Sequence, residues 1–291
     1  MKEPPKPELT VTALGQCAWR LLAHADQVSV LGVTSKGVFL KTTAGDVCFL
    51  TQEGWHGPLT LNLREDVGLK ALLQVGQRGR ITGRGVDFPV CLVVVPEAAV
   101  IWEPKPIQMD DVNLSDALAR GADLVRRLDT ENSLFKGFFE AVAVRSWADA
   151  NEALLAVLPG GEGQVLDRLS ALLGVGGGLT PSGDDYLCGL LLARDYHHQN
   201  TPAPEEEARF VSDIRSQARA RTTALSASLI ACAAEGQADE RLMDALAWLL
   251  TGAGSVEPIK KALLTYGSAS GSDALAGMLA SLLILQESPG D

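Results

Sequence analysis

The feature that most constrains this chain is a change of periodicity near Pro96. Before it, short β-branched and aromatic runs alternate with turn residues: Val28–Val33, Gly37–Thr42, Val47–Thr51, Pro58–Leu63 and Val90–Val95, with residues 67–74 readable as a short helix or strand. Strands at this spacing with glycine turns predict a small β-barrel or sandwich. One exception is expected at the start, where Leu14, Cys17, Ala18, Leu21 and Leu22 have helical spacing and suggest a helix over Leu9–Ala25. Prolines 96, 104 and 106 mark a linker over residues 96–111. Beyond it the chain is alanine–leucine-rich with helical period: Asn113–Asp129, Leu134–Val144, Ala148–Leu158, Glu162–Leu173, a helix from Ser182, one long or two shorter helices over Glu205–Glu235, Asp239–Leu250, Val256–Tyr266 and Ser270–Leu285. The expected fold is therefore α+β: a β-rich N-terminal barrel or sandwich over 1–105, then an all-α domain over 106–291.

Within the helical part, Gly174-Val175-Gly176-Gly177-Gly178-Leu179-Thr180-Pro181-Ser182-Gly183-Asp184-Asp185 runs directly into an apolar helix. Glycines let a backbone bring N–H groups close to a ligand, and a helix start leaves about four N–H groups unpaired beside a partial positive charge. The combination suits an anion. No lysine follows the glycines, so this is not a Walker loop, and no strand precedes them, which argues against a dinucleotide fingerprint.

The word recurs. Thr180 to Gly189 aligns with Ser268 to Gly277 at a constant offset of 88 residues, both reading hydroxyl-x-Ser-Gly-x-Asp-x-Leu-x-Gly. Ser182-x-x-Asp185 and Ser270-x-x-Asp273 fit a capping box. The counterpart of Asp184 is Ser272, so capping does not require a carboxylate there, which leaves Asp184 for a ligand or metal. Two outcomes stay open: the helix starts converge on one site through an approximate two-fold, or they are separate caps that share a word by chance. Gly189 and Gly277 fall inside helices, where close packing would offset a cost of about 1 kcal/mol each.

Arg215, Arg219, Thr222 and Ser226 are spaced 4, 3 and 4, which would place them on one helical face able to meet a phosphate or carboxylate, or simply solvent. Arg221 and Thr223 lie off that line. His197-His198 reads as part of a polar break, and Arg78, Arg80 and Arg84 as a basic turn. Net charge −11 argues against nucleic-acid and anionic-lipid partners. Five scattered cysteines without a C-x-x-C pair read as reduced thiols of a cytoplasmic protein, and no apolar run is long enough to span a bilayer. No zinc-type ligand spacing occurs.

The Gly-Gly-Gly-Leu-Thr-Pro-Ser-Gly-Asp-Asp word, with Arg221-Thr222-Thr223 to Ser228 and Ser270 to Gly277, resembles a bacterial family that includes the AllH-type subunit of oxamate carbamoyltransferase. The resemblance implies transfer between carbamoyl phosphate and oxamate, giving oxalurate and phosphate, in a complex with other subunits. It departs from ordinary carbamoyltransferases, whose Ser-Thr-Arg-Thr-type phosphate word is missing. On this reading Gly176, Gly177, Gly178, Thr180, Ser182, Gly183, Asp185, Thr222, Ser226, Ser270, Gly271 and Asp273 bind a small anionic substrate. Asp184 orients an amide N–H or a bound Mg²⁺, and Arg215 and Arg219 neutralise charge in the transition state. The alternative is a non-catalytic binding or scaffold subunit. Oligomerisation stays open.

Overall fold

The structure is a computed structural model that describes residues 5–64, 68–83, 85–107, 112–131, 133–158, 165–198 and 203–287. The chain divides into two compact units, Met1–Pro104 and Lys105–Asp291.

The first unit is a barrel. Its strands are β1 (Glu8–Gly15), β2 (Gln27–Val33), β3 (Gly37–Thr42), β4 (Val47–Thr51), β5 (Thr60–Leu63), β6 (Arg78–Thr82), β7 (Gly85–Asp87), β8 (Leu92–Val94) and β9 (Val100–Trp102), with helices α1 (Gln16–His24) and α2 (Leu69–Leu72) between them. The order β5-β4-β3-β2-β6-β7-β8-β1 closes through β1–β5 pairing, which makes eight strands around a core, and β9 is an extra edge strand on β1. Leu9, Val11, Val38, Leu40, Leu50, Leu61, Phe88 and Val93 fill the interior. Closure satisfies the backbone of the eight ring strands, so this unit needs no covering layer on its edges.

Three expectations fail here. Arg78 and Arg80, read as part of a basic turn, lie on strand β6, paired with β2 and β7. Residues 8–15 form a strand, because Leu9, Val11 and Ala13 alternate inward with period 2; only the later part of the helical pattern, from Gln16, is helix. The stretch read as linker contains β9, three residues paired in parallel with Ala13–Gly15. A strand that short between prolines leaves almost no periodic signal.

The second unit is all helix: α3 (Leu114–Val125), α4 (Lys136–Ala143), α5 (Trp147–Val157), α6 (Val165–Ser170), α7 (Ser182–His198), α8 (Glu205–Arg221), α9 (Ala224–Ala233), α10 (Glu240–Thr251), α11 (Val256–Tyr266) and α12 (Ser270–Glu287). The first residues of the helix expected at Glu162 lie outside the described residues, as does Arg84. The long stretch from Glu205 is two helices, broken where Thr222 takes an extended conformation and Thr223 caps α9 through a bond from Ser226 N–H at 3.1 Å. His197 and His198 lie in the last turn of α7 rather than in a loop, and His198 Nε2 sits 2.7 Å from Glu207 Oε2.

Helices α7 and α12 form the centre of this unit and share its most extensive contact. Their hydrophobic residues are buried on nearly all sides, including Leu187, Leu190 and Leu191 on one and Leu275, Met278 and Leu279 on the other. Helices apolar all round belong in an interior. A Cβ on Gly189 would lie 1.9 Å from the Ala274 carbonyl oxygen, and one on Gly277 would lie 1.9 Å from that of Tyr186. Ala274 and Gly277 are the 88-residue counterparts of Tyr186 and Gly189, so each close approach maps onto the other. The repeated word thus marks a reciprocal crossing whose two helix starts lie together.

Candidate functional site

The glycine loop enters this crossing under restraint. Gly174, Gly176 and Gly178 have φ of 77°, 116° and 93°, a region that side-chain-bearing residues rarely adopt. The corner between α8 and α9 holds the end of α6 and the loop after it with three consecutive residues. Arg221 Nη1 donates to the Ser170 carbonyl at 3.0 Å, Thr222 Oγ1 donates to Asp184 Oδ2, and Thr223 Oγ1 donates to the Leu179 carbonyl at 2.7 Å. On the far side Thr180 Oγ1 and Ser270 Oγ are 3.1 Å apart, which joins the loop directly to the α12 start. Between these anchors Gly176, Gly177, Gly178 and Leu179 are exposed. Among the described residues, the N–H groups of the three glycines take no intramolecular partner.

Ser182 and Ser270 are not caps. Asp185 N–H bonds the Pro181 carbonyl at 3.1 Å and Asp273 N–H bonds that of Ala269 at 2.9 Å, so the cap position is the residue before each serine and the serine is the first residue of its helix. This shift frees both aspartates from the capping box, and each faces the serine of the other helix. The hydroxyls of Ser270 and Thr180 hydrogen-bond Asp185; Asp273 accepts from Ser133 at 2.6 Å and has Ser182 close by. Ser133, in the turn before α4, carries no signal in the sequence that could have singled it out.

Asp184 has the opposite surroundings. Gly174 N–H donates to its Oδ1 at 2.8 Å and Thr222 takes its Oδ2, so both oxygens are engaged in holding the loop. Burial pushes its carboxyl above the usual range, while Thr222, Gly174 and the neighbouring Ser226 favour its charge. Burial pushes Asp185 further, up to about 8, against Ser270 and Thr180, with repulsion from Asp273 and Asp184 adding to the rise. Asp273 is also raised by burial, opposed by Ser133 and Ser182. Asp185 is therefore protonated over most of the neutral range, which keeps three crowded carboxyls from being fully charged together.

Other expected residues sit elsewhere. Gly183 and Gly271 are buried, and a Cβ on either would lie 2.2 Å from a carbonyl oxygen, of Leu172 and Leu263 respectively, so they serve packing. Arg215, Arg219, Thr222 and Ser226 do not share a face, because α8 ends at Arg221 and Ser226 belongs to α9. Arg215 is exposed and pairs with Glu235 at 3.0 Å, and Arg219 is exposed on the same helix. Arg221, outside the expected line, is the arginine held against the loop. Among the described residues no group of three His, Cys, Asp or Glu is placed to hold a metal ion. With both Asp184 oxygens engaged, the arrangement does not fit Mg²⁺ there.

Among the described residues no helix is long and apolar enough to cross a membrane. Residues 172–282, from the end of the segment before the glycine loop through most of α12, match the model of a protein family described as oxamate carbamoyltransferase subunit AllH. The resemblance to the AllH-type family is thus borne out over this part of the chain. Neither the curated proteins nor the solved structures contain a match.

Proposed function

We propose that this chain is a cytoplasmic subunit of an oxamate carbamoyltransferase-like complex, and that its glycine loop holds a small anionic substrate: carbamoyl phosphate, oxamate or oxalurate. The observation that carries this reading is the joining of two helix starts through Thr180 and Ser270 beside three exposed glycines whose N–H groups lack partners. Free N–H groups at the positive ends of two helices favour an oxyanion. Gly176, Gly177 and Gly178 would donate to phosphate or carboxylate oxygens, with the Thr180 and Ser270 hydroxyls beside them. Arg221, whose backbone lies against Gly174 and whose guanidinium bonds the Ser170 carbonyl and Gln217, would be the cation for the anion. Arg215, paired with Glu235, would reach the substrate only after breaking that pair. Protonation of Asp185 lessens the repulsion an incoming anion would meet.

Thermal melting of the purified chain with carbamoyl phosphate, oxamate, oxalurate and inorganic phosphate tests this. A ligand at a hundredfold excess over its Kd is expected to raise Tm by about 5 °C or more. No response across the set, alone or with the partner subunits, would sink the reading.

Leu179 favours a second reading. It is 51% exposed at the tip of the loop, an apolar side chain where a partner subunit could dock. A Leu179→Asp variant that abolishes assembly but leaves ligand-induced melting intact would assign the tip to docking and the backbone to substrate.

A further inference from the structure

Asp184 and Asp185 are neighbours with unlike partners. Asp184 is held by an amide N–H and a threonine, both engaged in fastening the loop. Asp185 is 3% exposed and hydrogen-bonds the hydroxyls of Ser270 and Thr180, which lie 3.1 Å from each other. A hydroxyl both gives and accepts a proton, whereas an amide N–H only gives one. Both hydroxyl residues are half-buried, and Thr180 directly follows the exposed Gly178-Leu179 step. They therefore form a hydroxyl bridge from a buried carboxyl to the loop on which the anion would lie. The titratable groups facing Asp185 are Asp184 and Cys188 on α7, Asp273 on α12 and Tyr266 at the end of α11. Burial raises Cys188 and Tyr266 further from neutrality, so neither exchanges a proton there. Asp185, raised by burial to about 8, does.

We infer that Asp185 supplies the proton to the leaving group at the glycine loop, acting through the Ser270 and Thr180 hydroxyls. This rests on the loop holding the substrate of a carbamoyl transfer, as proposed above. In that transfer the bond from the acceptor nitrogen to the carbamoyl carbon forms, and the bond from that carbon to the phosphate oxygen breaks. The departing oxygen takes a proton from one hydroxyl of the bridge, which is refilled from the Asp185 carboxyl. The nitrogen gives up one of its hydrogens along the same bridge to the Asp185 carboxylate. No net proton is gained or lost, and the carboxyl ends as it began. The reverse reaction uses the same steps with the two ends exchanged, so either direction begins with Asp185 protonated.

Calorimetry of sulfate binding to the full-length chain near pH 8, in buffers of unlike ionisation enthalpy, counts the protons taken up, since sulfate itself does not titrate there. Wild type is expected to take up part of a proton per sulfate, because the anion favours the neutral carboxyl, and Asp185→Asn none. In the complex with its partner subunits, kcat is expected to fall as pH rises past about 8. Asp185→Asn should lower kcat by about a hundredfold or more with KM little changed, and should remove the dependence near pH 8. Should Asp185→Asn fail to fold, Ser270→Ala is expected to lower kcat and Ser270→Thr to restore most of it. An Asp185→Asn complex with wild-type kcat and pH profile would overturn the proton assignment and leave the loop reading intact. So would proton uptake that persists in the variant. Absence of binding by sulfate, phosphate and carbamoyl phosphate would instead sink the loop reading, and this inference with it.

Discussion

The starts of α7 and α12 carry one word in two settings. Both press a glycine onto a preceding carbonyl, both have their cap position one residue before the serine, and both send an aspartate toward the serine of the other. They differ at the position between. Ser272 bonds back to the Ala269 carbonyl at 2.7 Å, within its own turn. Asp184 instead reaches out of its turn, to Gly174 N–H and Thr222. The shared residues therefore build the crossing, and the differing residue fastens a glycine loop to one end of it. The α7 start alone of the two is preceded by the glycine loop, which is where the proposed anion would lie.

The largest expected effect breaks the shared part. Replacing Gly189 or Gly277 by Leu puts a side chain where even a Cβ would lie 1.9 Å from a backbone carbonyl oxygen. Each should cost about 4 kcal/mol or more, enough to unfold the helical unit, and the two should cost about the same if the crossing is reciprocal. Circular-dichroism melts of both variants check this; a mild effect from only one would break the comparison.

A smaller effect separates the differing residues. Asp184→Ala leaves Gly174 N–H and the Thr222 hydroxyl without their acceptor and should cost about 2–3 kcal/mol in denaturant unfolding. Ser272→Ala loses one local bond and should cost about 1 kcal/mol or less. Equal costs would mean that Asp184 does not anchor the loop.

A further effect concerns Asp185 and shows only as a dependence on pH. Its folded pKa, about 8, lies above the value of 3.8 expected when unfolded, so the native state binds the proton more tightly. Its contribution to stability is thus fullest below about pH 4 and is lost as pH rises toward 8. Asp185→Asn cannot lose a proton and escapes this loss. Relative to wild type, its Tm should therefore rise between pH 5 and pH 9, by several degrees or more. A flat difference would show that the carboxyl is not raised.

How far the sequence could be read differs between these residues. Strands β2 to β5 and β8 were legible because alternation and glycine turns are local, and the helices because Ala–Leu periodicity is strong over several turns; β6 and β7 were hidden in a glycine-rich basic stretch read as a turn. The first strand was masked by the helical spacing that begins within it, and β9 was too short to leave a period. The paired helix starts were visible as a repeat, and Gly189 and Gly277 announced a close approach by their cost within a helix. What the fold corrects is the capping-box reading of the two carboxyls. A capping box made Asp185 a structural residue and left Asp184 free. In the fold, Asp184 is the structural anchor and Asp185 belongs to the crossing. The box pattern identifies an acid three residues after a serine, but it does not say whether that serine is the cap.

What the sequence determined by itself was therefore what local period and repetition encode: two units of different class, a glycine loop opening a helix, and a second copy of that start. Tertiary structure alone decided which hydroxyl each aspartate meets, that Arg221-Thr222-Thr223 turn a corner onto the loop, and that Arg215 turns away to Glu235. The physical reason is range. Helical and strand preferences act over a few residues, whereas the pairs Ser270–Asp185, Ser182–Asp273 and Thr222–Asp184 join positions far apart in the chain, brought together only when α7 crosses α12 and the α8–α9 corner packs on the loop.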